Sequence, residues 1–173
     1  VPDEEQGGFT LRKAISIPFS NAIPQVAVLD VENCSLCGKC SRVCPTQAVD
    51  YFQQPEKFVI KAKTAVLATG FKLTDPAQKK EYGQGQVDNV ITSMQMERLL
   101  APHGPYQRVI RPSDGKEPDS VAYVQCAGSR DENHLPYCSY ICCMASLKQA
   151  TYVRERYPEA KIYIFYIDLR APG

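Results

Sequence analysis

The sequence has almost no net charge, because 20 lysine and arginine residues are matched by 19 aspartate and glutamate residues. Proteins that bind nucleic acid or an anionic membrane ordinarily carry a basic stripe. The sequence also lacks a membrane-length apolar run, since its longest, residues 162–167, is far short of the ~20 residues that cross a bilayer. No signal-peptide pattern opens the chain. We therefore expect no nucleic-acid partner, no direct membrane insertion and a cytoplasmic location, peripheral to a membrane only through partner subunits.

A methionine start is also lacking: the chain opens with Val1 and stops directly after a strong strand pattern. We interpret the sequence as a segment of a longer protein, so a motif that is missing here is not excluded from the whole. At 173 residues there is room for one ordinary domain, or for a small domain joined to part of a larger one.

Cysteine is plentiful, with eight residues in two tight groups. Disulfide frameworks are typical of small secreted domains, so metal binding is the better interpretation in a chain without an export signal. The first group has the spacing C-x2-C-x2-C-x3-C-P of bacterial ferredoxins, in which short spacers turn successive thiolates into one concavity. This run predicts a [4Fe–4S] cluster with four ligands: Cys34, Cys37, Cys40 and Cys44.

The fourth ligand of this cluster is open to two interpretations. In two-cluster ferredoxins the last cysteine of such a run ligates the other cluster, and no second run exists here. Either Cys44 closes the same cluster, which we favour, or another segment or chain supplies the ligand. Zinc sites use two separated C-x2-C pairs, and a redox pair needs neither Cys40 nor the Cys44–Pro45 ending, so both alternatives fit the run less well.

The second cysteine group matches no general metal-binding spacing, and predicted secondary structure must place it. Residues 121–125 predict a strand, residues 139–157 a helix and residues 162–169 a second strand, which together form a βαβ unit. The cysteines would then converge at the end of the first strand and at the helix N-terminus, which favours an anionic ligand. Buried structural thiols and a vicinal redox pair stay open as alternatives. The group comprises Cys126, Cys138, Cys142 and Cys143.

Other elements follow from local patterns. The apolar run at residues 65–70 predicts a strand buried on both faces, and residues 49–61 predict a hairpin. Thr92, with glutamine three residues later, predicts the start of a helix that runs to about Leu100. The turn after the first strand of the βαβ unit has a single glycine, so we expect no NAD(P)H binding.

These motifs together resemble the heterodisulfide reductase A-subunit family, and within it the branch found in quinone-interacting membrane-bound oxidoreductase complexes. Besides the ferredoxin run, the resemblance is carried by residues 12–14, 126–131, 137–145 and 164–168. It implies an α/β fold: a small ferredoxin-like iron–sulfur lobe at residues 1–61, then, at residues 62–173, part of a thioredoxin-reductase-like flavoprotein with a Rossmann-like βαβ unit.

The resemblance also implies cofactors. It assigns the second cysteine group to another [4Fe–4S] cluster. It also implies that the ferredoxin-like lobe is an insertion in an FAD domain, and that Ala68, Thr69 and Gly70 lie where the chain returns from the insertion to that domain. The pyrophosphate-binding motif for FAD would lie upstream of Val1. We therefore expect FAD in the parent protein, with this segment alone holding it poorly or not at all and being inactive by itself.

Two functions remain in view at this point. In the first, FAD and the clusters relay electrons to other redox subunits of a multi-subunit complex in sulfur- or disulfide-linked energy metabolism. In the second, the cysteines hold zinc and stabilise a protein-interaction module without redox activity. Iron content and colour would separate the two.

Overall fold

A computed structural model describes residues 1–19 and 21–172. The chain divides into two compact units, the first made of Val1 with Arg12–Lys72 and the second of Pro2–Leu11 with Leu73–Gly173. The mixed α/β content agrees with the predicted fold class. The domain boundary predicted between residues 61 and 62 stays a prediction.

The first unit has little regular structure. Strands β1 (Ile15–Ser16) and β2 (Val28–Leu29) form a short antiparallel ladder. Beside this ladder the guanidinium of Arg12 donates a hydrogen bond to the carboxylate of Asp30 at 2.8 Å, which ties the start of the unit to the segment that enters the cysteine run. Helix α1 (Lys39–Val43) lies inside that run.

Two predicted elements of the first unit are wrong. Residues 49–61 contain no strand, and residues 65–70 form an irregular, exposed segment in which Val66 and Leu67 keep 87% and 89% of their surface. A parallel strand buried on both faces exists only inside a sheet. Within residues 1–19 and 21–172 no strand pairs with either segment, so apolar composition alone did not make them strands.

The second unit opens its regular structure with two 3₁₀ turns and a well-capped helix. The turns are Pro76–Gln78 and Lys80–Tyr82, and helix α2 spans Ser93–Leu100. The Thr92 hydroxyl accepts a hydrogen bond from the Gln95 N–H at 3.2 Å, while the Gln95 side chain accepts one from the Thr92 N–H at 2.9 Å. This capping box satisfies two N–H groups that a helix start leaves free, and it confirms the predicted helix.

The predicted βαβ connection is present. Strands β3 (Ser120–Val124) and β4 (Lys161–Phe165) are parallel neighbours, and helix α3 (Cys142–Arg156) connects them. Parallel strands cannot be joined by a tight turn, so a helical crossover of this length is required. Within the second cysteine group, Cys126 follows the carboxyl end of β3, and the other three cysteines lie just before or at the start of α3.

A small core packs α2 against α3. Leu99 of α2 and Val153 of α3 are fully buried, and burial of such a side chain contributes ~1.5–3 kcal/mol. Gln149 of α3 reinforces the contact, because its amide donates to the Ser93 carbonyl and to the carboxylate of Glu97. Among the helices of residues 1–19 and 21–172, none combines the length and apolar character needed to span a bilayer.

Candidate metal centres

The first cysteine group surrounds the start of α1. Cys40 lies within this helix and Cys44 caps its C-terminus. Leu36 and Gly38, on either side of Cys37, have left-handed backbones with φ of 51° and 69°, and glycine adopts such a φ at no steric cost. Left-handed residues next to right-handed ones turn backbone N–H groups to one side, which produces concavities that bind anions.

Hydrogen-bond donors contact the sulfurs at both ends of this run. The Leu36 N–H donates to Cys34 Sγ and the Ala48 N–H donates to Cys44 Sγ, each at 3.4 Å. The Thr46 hydroxyl also lies 3.4 Å from Cys44 Sγ. Donors of this kind stabilise a thiolate over a thiol, and the Thr46 side chain, followed by the Ala48 N–H, lowers the pKa of Cys44.

Cys37 has the same character. It is exposed, and the backbone N–H of Lys39, followed by the Ser35 side chain, lowers the pKa of its thiol. Thiolate is the form of cysteine that ligates iron. Four cysteines in one short loop, two of them with lowered pKa, therefore form a donor set that fits a [4Fe–4S] cluster.

The second cysteine group converges on one pocket of the second unit. Cys126 follows β3 in a left-handed conformation with φ of 57°, and Cys142 is the first residue of α3. The helix therefore begins three residues after the predicted start at residue 139, with Cys138 in the loop before it. The pocket is lined by Gln125, Cys126, Ser129, Cys138, Ser139, Tyr140, Cys142, Cys143 and Arg170.

The loop between Cys126 and Cys138 is anchored to the preceding part of the second unit. The Lys79 ammonium binds the carboxylate of Asp131 at 2.5 Å. Gly128 has φ of 97°, and a Cβ at this position would lie only 2.7 Å from the Thr74 side chain. A larger residue would displace the loop, so a glycine is required here for both its conformation and its close approach.

Donors also reach the sulfurs of the second group. The Tyr140 N–H donates to Cys138 Sγ at 3.4 Å, and the Arg170 N–H donates to Cys143 Sγ at 3.5 Å. The Arg130 guanidinium lies close enough to Cys126 for the sulfur to raise the pKa of this side chain, after the larger effect of Asp168. A cation and two backbone donors therefore face a group of four thiols, as suits an anionic cluster.

Cys142 differs from the cysteines of the first group. Burial raises the pKa of its thiol, and the Ser139 side chain opposes this shift without cancelling it. The neighbouring thiols, Cys143 and Cys138, add to the increase. A bound metal cation reverses this balance, because a coordinating thiol is deprotonated outright.

The four sulfurs of either group are not arranged as ready ligands. Among residues 1–19 and 21–172, no three cysteine, histidine, aspartate or glutamate side chains form a set that could hold a metal ion. Thiolates at ligand distance from one another repel unless cations lie between them. The polypeptide brings the first group to one loop and the second to one pocket, and their assignment as ligands stays a prediction.

The predicted flavin residues lie in the first unit. Ala68, Thr69 and Gly70 belong to the exposed, irregular segment, and Gly70 has φ of 69°. Their role in cofactor binding stays a prediction.

Three residues of the second site escaped sequence reasoning. Gln125 and Arg130 are close to Cys126 in the sequence, but only the folded chain shows that Gln125 lines the pocket and that the Arg130 guanidinium lies near the thiol. Arg170 carries no sequence signal, since it is 27 residues from the sulfur that its N–H contacts.

Comparison with known proteins supports an iron–sulfur site in the first unit. Residues 27–50, which include the whole first cysteine group, match the family model described as a 4Fe-4S binding domain. The mixed α/β fold with this domain is therefore established, whereas a flavoprotein or Rossmann unit is not.

Nearly the whole chain also matches longer proteins that are named as A subunits of heterodisulfide reductases. It is 46% identical over 168 residues to that of the ferredoxin/F(420)H(2)-dependent CoB-CoM heterodisulfide reductase of Methanosarcina acetivorans, covering 96% of this chain and 21% of that protein. It is 47% identical over 175 residues to that of the H(2)/formate:CoB-CoM heterodisulfide,ferredoxin reductase of Methanococcus maripaludis. It is 43% identical over 175 residues to the iron–sulfur A subunit of the CoB--CoM heterodisulfide reductase of Methanocaldococcus jannaschii. The last two matches cover 100% of this chain and 27% of the relative, so the chain spans about a quarter of the length of these relatives.

Proposed function

This chain is homologous to the A subunits of heterodisulfide reductases over nearly its whole length, and from that premise we propose that it carries electrons within an oxidoreductase. The observation that carries the proposal is the first cysteine group, which lies wholly inside the segment that matches a 4Fe-4S binding domain. When bound, a [4Fe–4S] cluster supplies one-electron transfer.

The residues of the first unit hold and tune this group. Four thiolates bind, and the N–H groups of Leu36 and Ala48 donate to two of the sulfurs. Hydrogen bonds to cluster sulfurs and solvent exposure are two of the features that set a reduction potential. Cys37 is exposed, which places one edge of the site within reach of a redox partner.

The second pocket is the proposed position of a second [4Fe–4S] cluster, held by Cys126, Cys138, Cys142 and Cys143. Its support is the convergence of all four cysteines on a single pocket. Arg130 supplies a positive charge next to Cys126, and the N-terminus of α3 adds its dipole. These features stabilise added negative charge, as electron acceptance requires.

FAD in the whole protein, and other redox subunits as partners, complete the proposal. The resemblance implies the flavin, and it places residues 68–70 at the junction with its domain. The names of two relatives include ferredoxin, which suggests exchange with a small iron–sulfur carrier. We place this function in sulfur- or disulfide-linked energy metabolism in the cytoplasm, with any attachment to a membrane made through partner subunits.

The proposal is tested by metal analysis of protein purified without oxygen. Two clusters require about eight iron atoms and eight acid-labile sulfides per chain, with broad absorption near ~400 nm. About four iron atoms would support only one site. Zinc in a colourless protein would instead favour the interaction-module alternative.

A further inference from the structure

Gln125 is a buried polar residue in the wall of the second cysteine pocket. It directly follows β3 and is only 7% exposed. Its backbone N–H donates to the Phe165 carbonyl at 2.9 Å, so the end of β4 fixes its main chain. Its side-chain nitrogen Nε2 is buried and has no hydrogen-bond partner among the described residues.

A buried amide without a partner is costly, and native proteins seldom leave one unexplained. Gln125 shares its pocket with all four cysteines of the second group. Sulfur atoms that carry negative charge are acceptors for amide N–H donors. The Arg130 side chain places a positive charge near Cys126. Gln125 provides an uncharged N–H donor in the wall of the same pocket.

We propose that the Gln125 side chain donates a hydrogen bond to a sulfur of the iron–sulfur cluster in this pocket and raises its reduction potential. The inference rests on the proposed function, because it requires a cluster there. A donor stabilises the reduced form more than the oxidised form, since the reduced cluster carries one more negative charge. Gln125 is a tuning residue and contributes no metal ligand.

The test is a redox titration followed by electron paramagnetic resonance on the intact protein, purified without oxygen. Gln125→Met keeps the length of the side chain and removes both N–H donors. Gln86→Met is the matched control, because Gln86 is exposed and lies outside the pocket. The signal that a Cys126→Ser variant loses identifies the cluster of the pocket.

We expect Gln125→Met to retain the iron of wild-type protein and to shift the potential of this cluster to a more negative value. The other cluster and the Gln86→Met variant keep wild-type potentials. If Gln125→Met does not assemble the pocket cluster, Gln125→Leu, which also lacks both N–H donors and adds no charge, is titrated in its place and the same negative shift is expected.

Three results would overturn the inference. An unchanged potential in a variant that retains its iron would show that Gln125 makes no such bond. Loss of the cluster from both variants would indicate a purely structural role. If the Cys126→Ser variant has the same paramagnetic resonance signals as wild-type protein, the pocket holds no cluster and the proposed second cluster is wrong. This outcome differs from an unchanged potential, because in that case the signal of the pocket cluster is present in wild-type protein.

Discussion

The guanidinium of Arg130 binds the carboxylate of Asp168 and also lies near Cys126, whose sulfur adds to the increase in its pKa. One side chain thus joins the segment after β4 to the first cysteine of the second group. The Asp168 side chain is half exposed, whereas Arg130 is 19% exposed. Because an exposed ion pair contributes little, removing Arg130 should affect the second cysteine group more than removing Asp168.

Substitution Arg130→Gln should make the second cluster easier to lose, because it removes the positive charge next to Cys126. Iron release to a chelator should be faster than in wild type, by several-fold. Asp168→Asn is the control: an exposed ion pair contributes about 0–1 kcal/mol, so this variant should keep its melting temperature within a few degrees and its iron-release rate close to wild type. Equal release rates for all three proteins would contradict the role of Arg130.

Substitution Cys37→Ser should remove the first cluster and leave the second. We expect the loss of about four iron atoms per chain. Residues 30–50 should also lose order, since the unit has few buried apolar side chains and relies on bound metal for its structure. Glu32→Gln, at an exposed position outside the cysteine run, should keep full iron content. Full iron content in Cys37→Ser would refute the assignment of this ligand.

Tyrosine hydroxyls in the second unit allow a paired test of hydrogen bonding. Tyr123 has a buried hydroxyl without a partner among the described residues, so Tyr123→Phe should leave the free energy of unfolding unchanged or raise it by up to ~1 kcal/mol. The Tyr157 hydroxyl accepts a hydrogen bond from the Val109 N–H at 3.0 Å. Tyr157→Phe should therefore destabilise the protein by about 1 kcal/mol or more. Urea denaturation measures the free energy of unfolding of both variants. A larger loss of stability in Tyr123→Phe than in Tyr157→Phe would contradict the hydrogen bonding of these two hydroxyls.

Alkaline pH should reveal the same buried hydroxyl. Burial, followed by the charge of Glu97, raises the pKa of Tyr123 to about 12, above its value of ~10 in an unfolded chain. Between these values the unfolded state releases the proton and the folded state keeps it, so stability present below pH ~10 falls as the pH rises towards 12. Wild type should lose more stability over this range than Tyr123→Phe. Identical pH profiles would show that Tyr123 titrates normally.

The resemblance to the heterodisulfide reductase A-subunit family inferred from the motifs is confirmed by relatives that match nearly the whole chain, whereas the narrower resemblance to one branch of that family stays a prediction. The sequence also determined the features that depend on neighbours along the chain. The cysteine run is defined by its spacing, α2 begins at the predicted capping box, and β3, α3 and β4 follow their apolar patterns. The expectation of no NAD(P)H binding stays a prediction.

Only the tertiary structure decided the rest, because it depends on contacts between residues far apart in the sequence. Residues 65–70 have the composition of a buried strand, but a strand needs partners to satisfy its backbone, and none pairs with them in the described part of the chain. Likewise, no spacing rule places Arg170 beside the second cysteine group. The packing of α3 on α2 and the parallel pairing of β3 with β4 bring these residues to one pocket, since together they fix where the helix starts relative to the strand ends.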